Sequence, residues 1–250
     1  METVMVYGGL TPLGLKLCEQ LLETEKQVVS LSSAKNQSER SIEEDNELFL
    51  GRHALFQHKG DLDAISDIST GIDHLYFLDL LKDHEDCIKS AEDDMRKITE
   101  SIFQKTDCLK SMTLFSHIDI YGQCTGVITE KTPVKPNTVR GHTANDIEQH
   151  FINLLIENRS KQKIKQAVIL RMAEIRQLRS EDIAEAAKDT IDVTDAIEAL
   201  LKAPFVPGGN GLQLIQITSG KDHKLKEGGL NQIFPYDKAA RLLNYSPASD

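Results

Sequence analysis

The 250-residue sequence is poor in cysteine, has no excess of basic residues, and contains no apolar run approaching the length of a membrane span. Each shortage excludes something. The four cysteines, Cys18, Cys87, Cys108 and Cys124, are widely spaced and form no C-x-x-C pair, so a disulfide scaffold is not predicted and a reducing compartment is. Lys and Arg together number 29 against 39 Asp and Glu, a formal net charge of -10, whereas a nucleic-acid surface would need a concentrated basic face to displace counterions. The first residues run from Met1 straight into an apolar strand without a basic, then apolar leader, and with no membrane-length segment a cytoplasmic protein is expected. The eight histidines are dispersed, and His53 with His58 lack further soft ligands, so no metal site is predicted. A serine hydrolase is excluded by the lack of a G-x-S-x-G elbow. No repeat, low-complexity tract or linker interrupts the chain, and its length suffices to bury a large core, so residues 1–250 are expected to form one domain.

What is present is an alternation of two periods. Thr3 to Tyr7 is a short apolar run ending in Gly8-Gly9, Pro12 to Glu23 repeats apolar residues at helical spacing, and Gln27 to Leu31 is apolar again. That is strand, tight turn, helix, strand, a unit that should be parallel and right-handed. Ser33 to Glu47 is polar and acidic and reads as a loop with some helix. Further strands are predicted at Ala54 to His58, His74 to Leu78, Ser111 to Ser116 and Gln166 to Arg171, with amphipathic helices at Cys87 to Phe103 and Asp146 to Arg159. This order argues a Rossmann-like α/β fold, a doubly wound parallel sheet whose ligands sit beyond the carboxyl ends of the strands. From about residue 175 the pattern loosens into helices at Glu181 to Lys188 and Ala196 to Ala203, a strand at Leu212 to Thr218 and a last helix at Tyr236 to Asn244, expected as a reduced C-terminal lobe.

A nucleotide site in such a sheet needs glycines after the first strand, where the backbone turns and approaches the phosphates. Gly8, Gly9 and Gly14 supply much of this, but Thr11 holds the position where a middle glycine would lie, adding bulk. The second strand ends without a carboxylate for ribose hydroxyls: Leu31 is followed by Ser32 and Ser33, with Lys35 near, a pattern that favours a 2′-phosphate or no ligand. Asp61 and Leu62 follow the third strand, where Asp61 reads either as an adenine contact or as a helix cap. The fourth strand closes as Tyr76-Phe77-Leu78-Asp79-Leu80, placing a carboxylate where phosphates should pass unless Lys82 intervenes.

Taken together these residues resemble the NAD(P)-dependent epimerases and dehydratases of the extended short-chain dehydrogenase/reductase family. The likeness is clearest from Phe115 to Glu148, where Ile120-Tyr121-Gly122, Ile128-Thr129-Glu130 and Pro136 to Glu148 follow the family's framework. Gly60-Asp61-Leu62, Leu170-Arg171, Ile191 to Asp195 and Tyr236 to Pro247 match its scaffold segments in order, with Asp195 read as a helix cap. The resemblance implies NAD or NADP as cofactor, with Gly8, Thr11, Gly14, Ser32, Asp61 and Leu62 as its contacts. It also implies homodimerisation through the helices at Cys87 to Phe103 and Asp146 to Arg159, unless their seams pack only on the sheet. The chain is shorter than most members, and the deficit falls after Arg171, which argues against a large nucleotide-sugar substrate.

The same framework places His117, Arg140 and Ala144 where the family has its catalytic serine or threonine, tyrosine and lysine. The family's chemistry needs a phenol, with a free pKa near ~10, brought toward neutrality by an adjacent cation. Arg140 cannot act as a base, and Ala144 can neither lower a pKa nor hold a ribose. Three functions are expected: a non-catalytic binding or regulatory protein with residual nucleotide affinity; an atypical oxidoreductase or epimerase using Tyr121 and His117 as a displaced acid/base pair; or a structural partner subunit that dimerises with an active homologue. Arg140, His142 and His117 are also expected as a cationic cleft that binds a small anion.

Overall fold

The computed structural model describes all residues except 63–64, 66–70, 82–84, 107–108, 160–163, 179–188, 208–210, 225–230 and 249–250. Its elements in chain order are β1 (Thr3–Tyr7), α1 (Pro12–Glu23), β2 (Gln27–Leu31), α2 (Gln37–Leu50), β3 (Phe56–Lys59), β4 (His74–Phe77), α3 (Glu85–Lys105), β5 (Leu109–His117), β6 (Gly126–Val127), α4 (Val139–Arg159), β7 (Ile164–Met172), β8 (Glu174–Ile175), β9 (Thr190–Ile191), α5 (Val193–Lys202), β10 (Gly211–Ile217), β11 (Asp222–Lys224), β12 (Asn231–Ile233) and α6 (Asp237–Leu243).

Seven strands form one sheet in the order β10-β7-β5-β4-β1-β2-β3, every neighbouring pair parallel. The chain winds outward from β1 in both directions, so the carboxyl ends of β1 and β4 flank the point where strand order reverses, the place where such sheets bind ligands. Because side chains alternate across a strand, β1 splits its residues between two cores: Val4 and Val6 face one layer, Met5 and Tyr7 the other. The first core takes the apolar stripes of α1 and α5, the second those of α3 and α4. On α3, Ala91, Met95, Ile98 and Ile102 are buried against the sheet while Asp93, Arg96, Lys97 and Glu100 face outward. On α4, Ile147, Phe151 and Leu154 are buried in the same core, so these parts of the seams that the resemblance assigns to dimerisation are covered within the chain.

Three readings of the sequence need correction. The acidic stretch expected as mostly loop is helix α2, because Asn36 caps it by accepting from the Glu39 N–H at 2.9 Å and because Glu39 lies in the first turn, where the helix dipole favours negative charge. The chain after residue 175 is not only a lobe: β10 completes the main sheet beside β7, while β6, β11 and β12 form a small separate sheet. Asp195 is not the cap of α5; Asp192 holds that position, and the buried Asp195 carboxylate accepts the N–H of Ala248 at 3.1 Å. The expected helix at Glu181 to Lys188 lies outside the described residues.

Candidate functional site: a divided crevice

The turn after β1 is closely packed. Gly8 sits at φ +79°, a conformation L side chains rarely adopt, and a Cβ there would lie 2.6 Å from the Cβ of Asp79. A Cβ on Gly14 would fall 2.0 Å from the Gly8 carbonyl oxygen. Thr11 is more than bulk: its hydroxyl donates to the Gly8 carbonyl at 2.7 Å and accepts the Gly14 N–H at 3.2 Å, capping α1. Two hydrogen-bonding groups that could serve a phosphate are therefore satisfied inside the turn. Pro12, at the first helical position, has no N–H to offer at all, a signal visible in the sequence.

Beside this turn the end of β2 is tied down. Ser32 Oγ donates to Glu43 at 2.5 Å and the Ser33 N–H donates to the other oxygen of the same carboxylate at 3.0 Å. Glu43 projects from α2, which is why the loop reading missed it. Ser33 Oγ then donates to Asp79 Oδ2 at 2.6 Å, joining the residues after β2 to those after β4. The ideal Cβ of Gly8 lies within 3.4 Å of Ser33 Oγ, so this clasp rests directly over the glycine turn. A third carboxylate, Asp94 of α3, accepts from the Tyr7 hydroxyl at 2.7 Å and from Lys35.

On either side of the clasp lies a cavity. One, of about 560 Å³, is bounded by Ser32, Lys35, Arg40, Lys59, Asp61, Leu62 and Asp94; Arg40 and Lys59 have no carboxylate partner among the described residues. The other, of about 250 Å³, lies between the α1 N-terminus, the ends of β4 and β5, the first turn of α4 and β8, and is lined by Thr11, Asp79, His117, Arg140 and Glu174 together with apolar side chains. Of the nucleotide contacts expected from sequence, Ser32, Asp61 and Leu62 thus gather in the larger cavity and Thr11 borders the smaller, while Gly8 and Gly14 form the turn itself. Lys82, expected to offset Asp79, lies outside the described residues.

The smaller cavity holds two of the three family-position residues. Arg140 Nε donates to Asp119 Oδ2 at 2.9 Å, and Nη2 donates to Glu174 Oε2 at 2.9 Å. This double pairing holds the guanidinium's pKa above its ordinary value against the opposing effect of burial. Ala144 is fully buried one turn further along α4. His117 is buried and caps the 3₁₀ turn Ile118–Tyr121, its Nδ1 accepting the Asp119 N–H at 3.0 Å. The ring proton is then on Nε2, which finds no hydrogen-bond partner among the described residues and stands 3.7 Å from Glu174 Oε2. Burial holds the imidazole pKa below 6.5, and the charge of Arg140 works in the same direction against Asp119 and Glu174.

The expected anion cleft does not assemble. Arg140 is already flanked by two carboxylates, His117 is held toward its neutral form, and His142 is exposed on α4 and does not line the cavity. Tyr121 and His117 are not brought together either. Tyr121 is fully buried; its hydroxyl oxygen accepts from Arg171 Nη1 at 2.7 Å and from Gln216 Nε2 at 2.8 Å. Arg171 also grips Glu148 through Nε at 2.9 Å and Nη2 at 2.6 Å, and Ser116 donates to that glutamate at 2.5 Å. Burial, the dominant effect, raises the phenol's pKa although Arg171 works against it. Tyr121 does not line either of the two cavities described above. Among the described residues no group of three or more His, Cys, Asp or Glu is placed to hold a metal ion, and no helix is long and apolar enough to cross a membrane.

No family model and no curated protein sequence matches this chain. Solved structures do. The UDP-glucuronic acid 4-epimerase from Bacillus cereus, in complex with NAD, superposes with a TM-score of 0.75 at 20% identity, over 99% of this chain and 92% of that one. The UDP-Glc/GlcNAc 4-epimerase of Campylobacter jejuni gives 0.75 at 14% identity, covering 100% and 95%. The yeast methylglyoxal/isovaleraldehyde reductase complexed with NADPH gives 0.74 at 16%, covering 99% and 94%. With the seven parallel strands and the glycine turn at the reversal of strand order, these likenesses establish that the chain has the Rossmann-like α/β fold of those epimerases and that reductase.

Proposed function

We propose that this chain is a non-catalytic ligand-binding protein, in which the crevice that holds a dinucleotide in proteins of this fold has been split into two separate pockets. The observation that carries the reading is the hydrogen bond from Ser33 to Asp79, which crosses the glycine turn along the path between the adenosine and nicotinamide ends of such a cofactor. The local charge supports it: Asp79, Glu43 and Asp94 surround that path, and a diphosphate brought against them would be repelled. Arg140 and Ala144 leave no proton relay at the usual positions. What nucleotide affinity persists belongs to the pocket of Lys35, Arg40 and Lys59, whose basic rim suits a phosphate-bearing nucleotide, NADP before NAD.

Isothermal titration with NAD, NADH, NADP and NADPH at millimolar concentration tests this. The natural chain should show at most weak binding, confined to the phosphorylated forms. The double variant Ser33→Ala, Asp79→Ala should bind dinucleotide at least roughly tenfold more tightly, about 1.4 kcal/mol, because the clasp and one repulsive charge are gone. Micromolar binding of any of the four by the natural chain, or turnover of a reduced cofactor against a carbonyl substrate, would overturn the proposal.

A further inference from the structure

Helix α2 exposes more of its large apolar side chains than it buries. Leu50 and Glu43 are its buried residues, and the Glu43 carboxylate is engaged by Ser32 and Ser33. On the other side of the helix Ile42, Leu48 and Phe49 are 47%, 79% and 75% exposed, so no described residue covers them. Ile42, Asp45 and Phe49 follow at spacings of three and four and lie in one row along the helix; Glu44 and Leu48, four apart, form the row beside it. Both carboxylates are exposed, and the face therefore alternates apolar and acidic groups. Residues 37–52 as a whole carry five carboxylates against Arg40 and Arg52, and Arg40 lines the larger cavity. Single exposed apolar side chains are ordinary, but three large ones within two turns of one helix mark a contact surface.

We propose that this face docks a basic amphipathic helix of another protein, whose apolar side chains pack on Ile42, Leu48 and Phe49 while its lysines or arginines meet Glu44 and Asp45. Charge decides between the occupants open to such a face. A second copy of the chain, joined by a two-fold axis, would set this patch against itself and bring like carboxylates together, with a formal net charge of -10 on each molecule opposing the approach. A helix that lies on a membrane pairs its apolar side with Lys and Arg, which hold anionic headgroups, and the flanking charge here has the opposite sign. A partner with cations at helical spacing beside its apolar residues is favoured twice, by taking Leu48 and Phe49 out of water and by complementing Glu44 and Asp45. Phe49, the aromatic member of the patch, is its expected anchor.

The probe is a fluorescein-labelled peptide of leucine and lysine, about 14 residues or four helical turns long, with its leucines on one helical face. The full chain is titrated into it and fluorescence anisotropy is read. Two control peptides accompany it: a scrambled one of the same composition without an apolar face, and one with glutamate in place of every lysine. The patterned lysine peptide should bind saturably and each control at least roughly tenfold more weakly. Leu48→Ser with Phe49→Ser should weaken it at least roughly tenfold. Glu44→Gln with Asp45→Asn should weaken it and flatten its dependence on salt. Urea midpoints of both double variants should match that of the natural chain, because all four side chains are exposed. No binding of the patterned peptide, equal binding of the scrambled one, or undiminished binding by either folded double variant would overturn the proposal. So would a dimer in sedimentation equilibrium that Leu48→Ser with Phe49→Ser dissociates, or attachment to vesicles of phosphatidylcholine and phosphatidylglycerol that the same variant abolishes, since each gives the face another occupant. The dinucleotide titration reports on the crevice on the other side of α2, and its result leaves this one standing or falling by itself.

Discussion

Arg171 Nη1 donates to the hydroxyl of Tyr121 at 2.7 Å, and the guanidinium carbon stands 5.0 Å from the centre of the tyrosine ring. The tyrosine is thereby fixed by hydrogen bonding and by stacking at once, on the interior side of the helix that carries Arg140. The tyrosine's hydroxyl oxygen also accepts from Gln216 Nε2 at 2.8 Å, and Arg171 at the same time pairs with the buried Glu148 carboxylate.

Removing that hydroxyl should therefore cost stability. Tyr121→Phe leaves Arg171 Nη1 and Gln216 Nε2 short of an acceptor in the interior, a loss of about 1–3 kcal/mol. Arg171→Met is worse, because the Glu148 carboxylate, only 1% exposed, is left without its cation, and about 3–5 kcal/mol is expected. Urea denaturation of the two variants checks the order. A Tyr121→Phe chain as stable as the natural one would contradict the assignment.

The glycine turn gives a sharp contrast between two positions. Gly14→Ala drives a methyl group to 2.0 Å from the Gly8 carbonyl and must push α1 away from β1, so a loss of about 3 kcal/mol is expected. Gly60→Ala meets nothing within 4 Å and should change stability by less than about 0.5 kcal/mol. Thermal melts of both variants decide it.

Acid should weaken the fold in two stages. His58, His74 and His117 all have pKa values lowered below 6.5, burial being the main cause in each. The unfolded chain therefore takes up protons first, and stability falls as the pH drops from 6.5 toward the folded-state values. Glu2 acts lower down. Hydrogen bonds from Lys26 and Lys110, with His74 beside them, bring its carboxyl from an ordinary 4.5 to about 2. Its contribution is complete above pH 4.5 and is lost between there and about pH 2. Melting temperatures measured across that range should fall less steeply for Glu2→Gln, and the difference should shrink in high salt because the carboxylate is partly exposed.

The cap of α1 offers a milder test. Thr11→Ala removes both the acceptor for the Gly14 N–H and the donor to the Gly8 carbonyl, and about 1 kcal/mol should be lost. Thr11→Ser keeps both bonds and should retain stability. If the alanine variant instead gains dinucleotide affinity with no loss of stability, the threonine acts as an obstacle in the phosphate path and not as a cap.

The sheet was legible because its signal is local and repeated. The runs at Thr3 to Tyr7 and Gln27 to Leu31 are strands with those bounds, Pro12 to Glu23 is the helix between them, and the remaining sheet strands lie within a few residues of their expected positions. Helix α2 was hidden because its apolar face is meagre: within it only Leu50 and Glu43 are buried. With the helix went its partner contacts, since Glu43 meets Ser32 and Ser33 only once α2 folds back over β2.

At the site the residue types could be read but their pairings could not. The chain order alone put His117, Arg140 and Ala144 where proton transfer would be expected, and ruled out an arginine base from its chemistry. Whether Arg140 was open to an anion depended on Asp119 and Glu174, 21 and 34 residues away along the chain. The clasp between Ser33 and Asp79 spans 46 residues, joining two loops that become neighbours only because β2 and β4 flank β1 in the sheet. Periodicity and glycine spacing, being properties of adjacent residues, determined the fold. The pairing of Arg140 and the closing of the crevice were decided by strand order and helix placement, because an electrostatic contact depends on distance in space and not on separation along the chain.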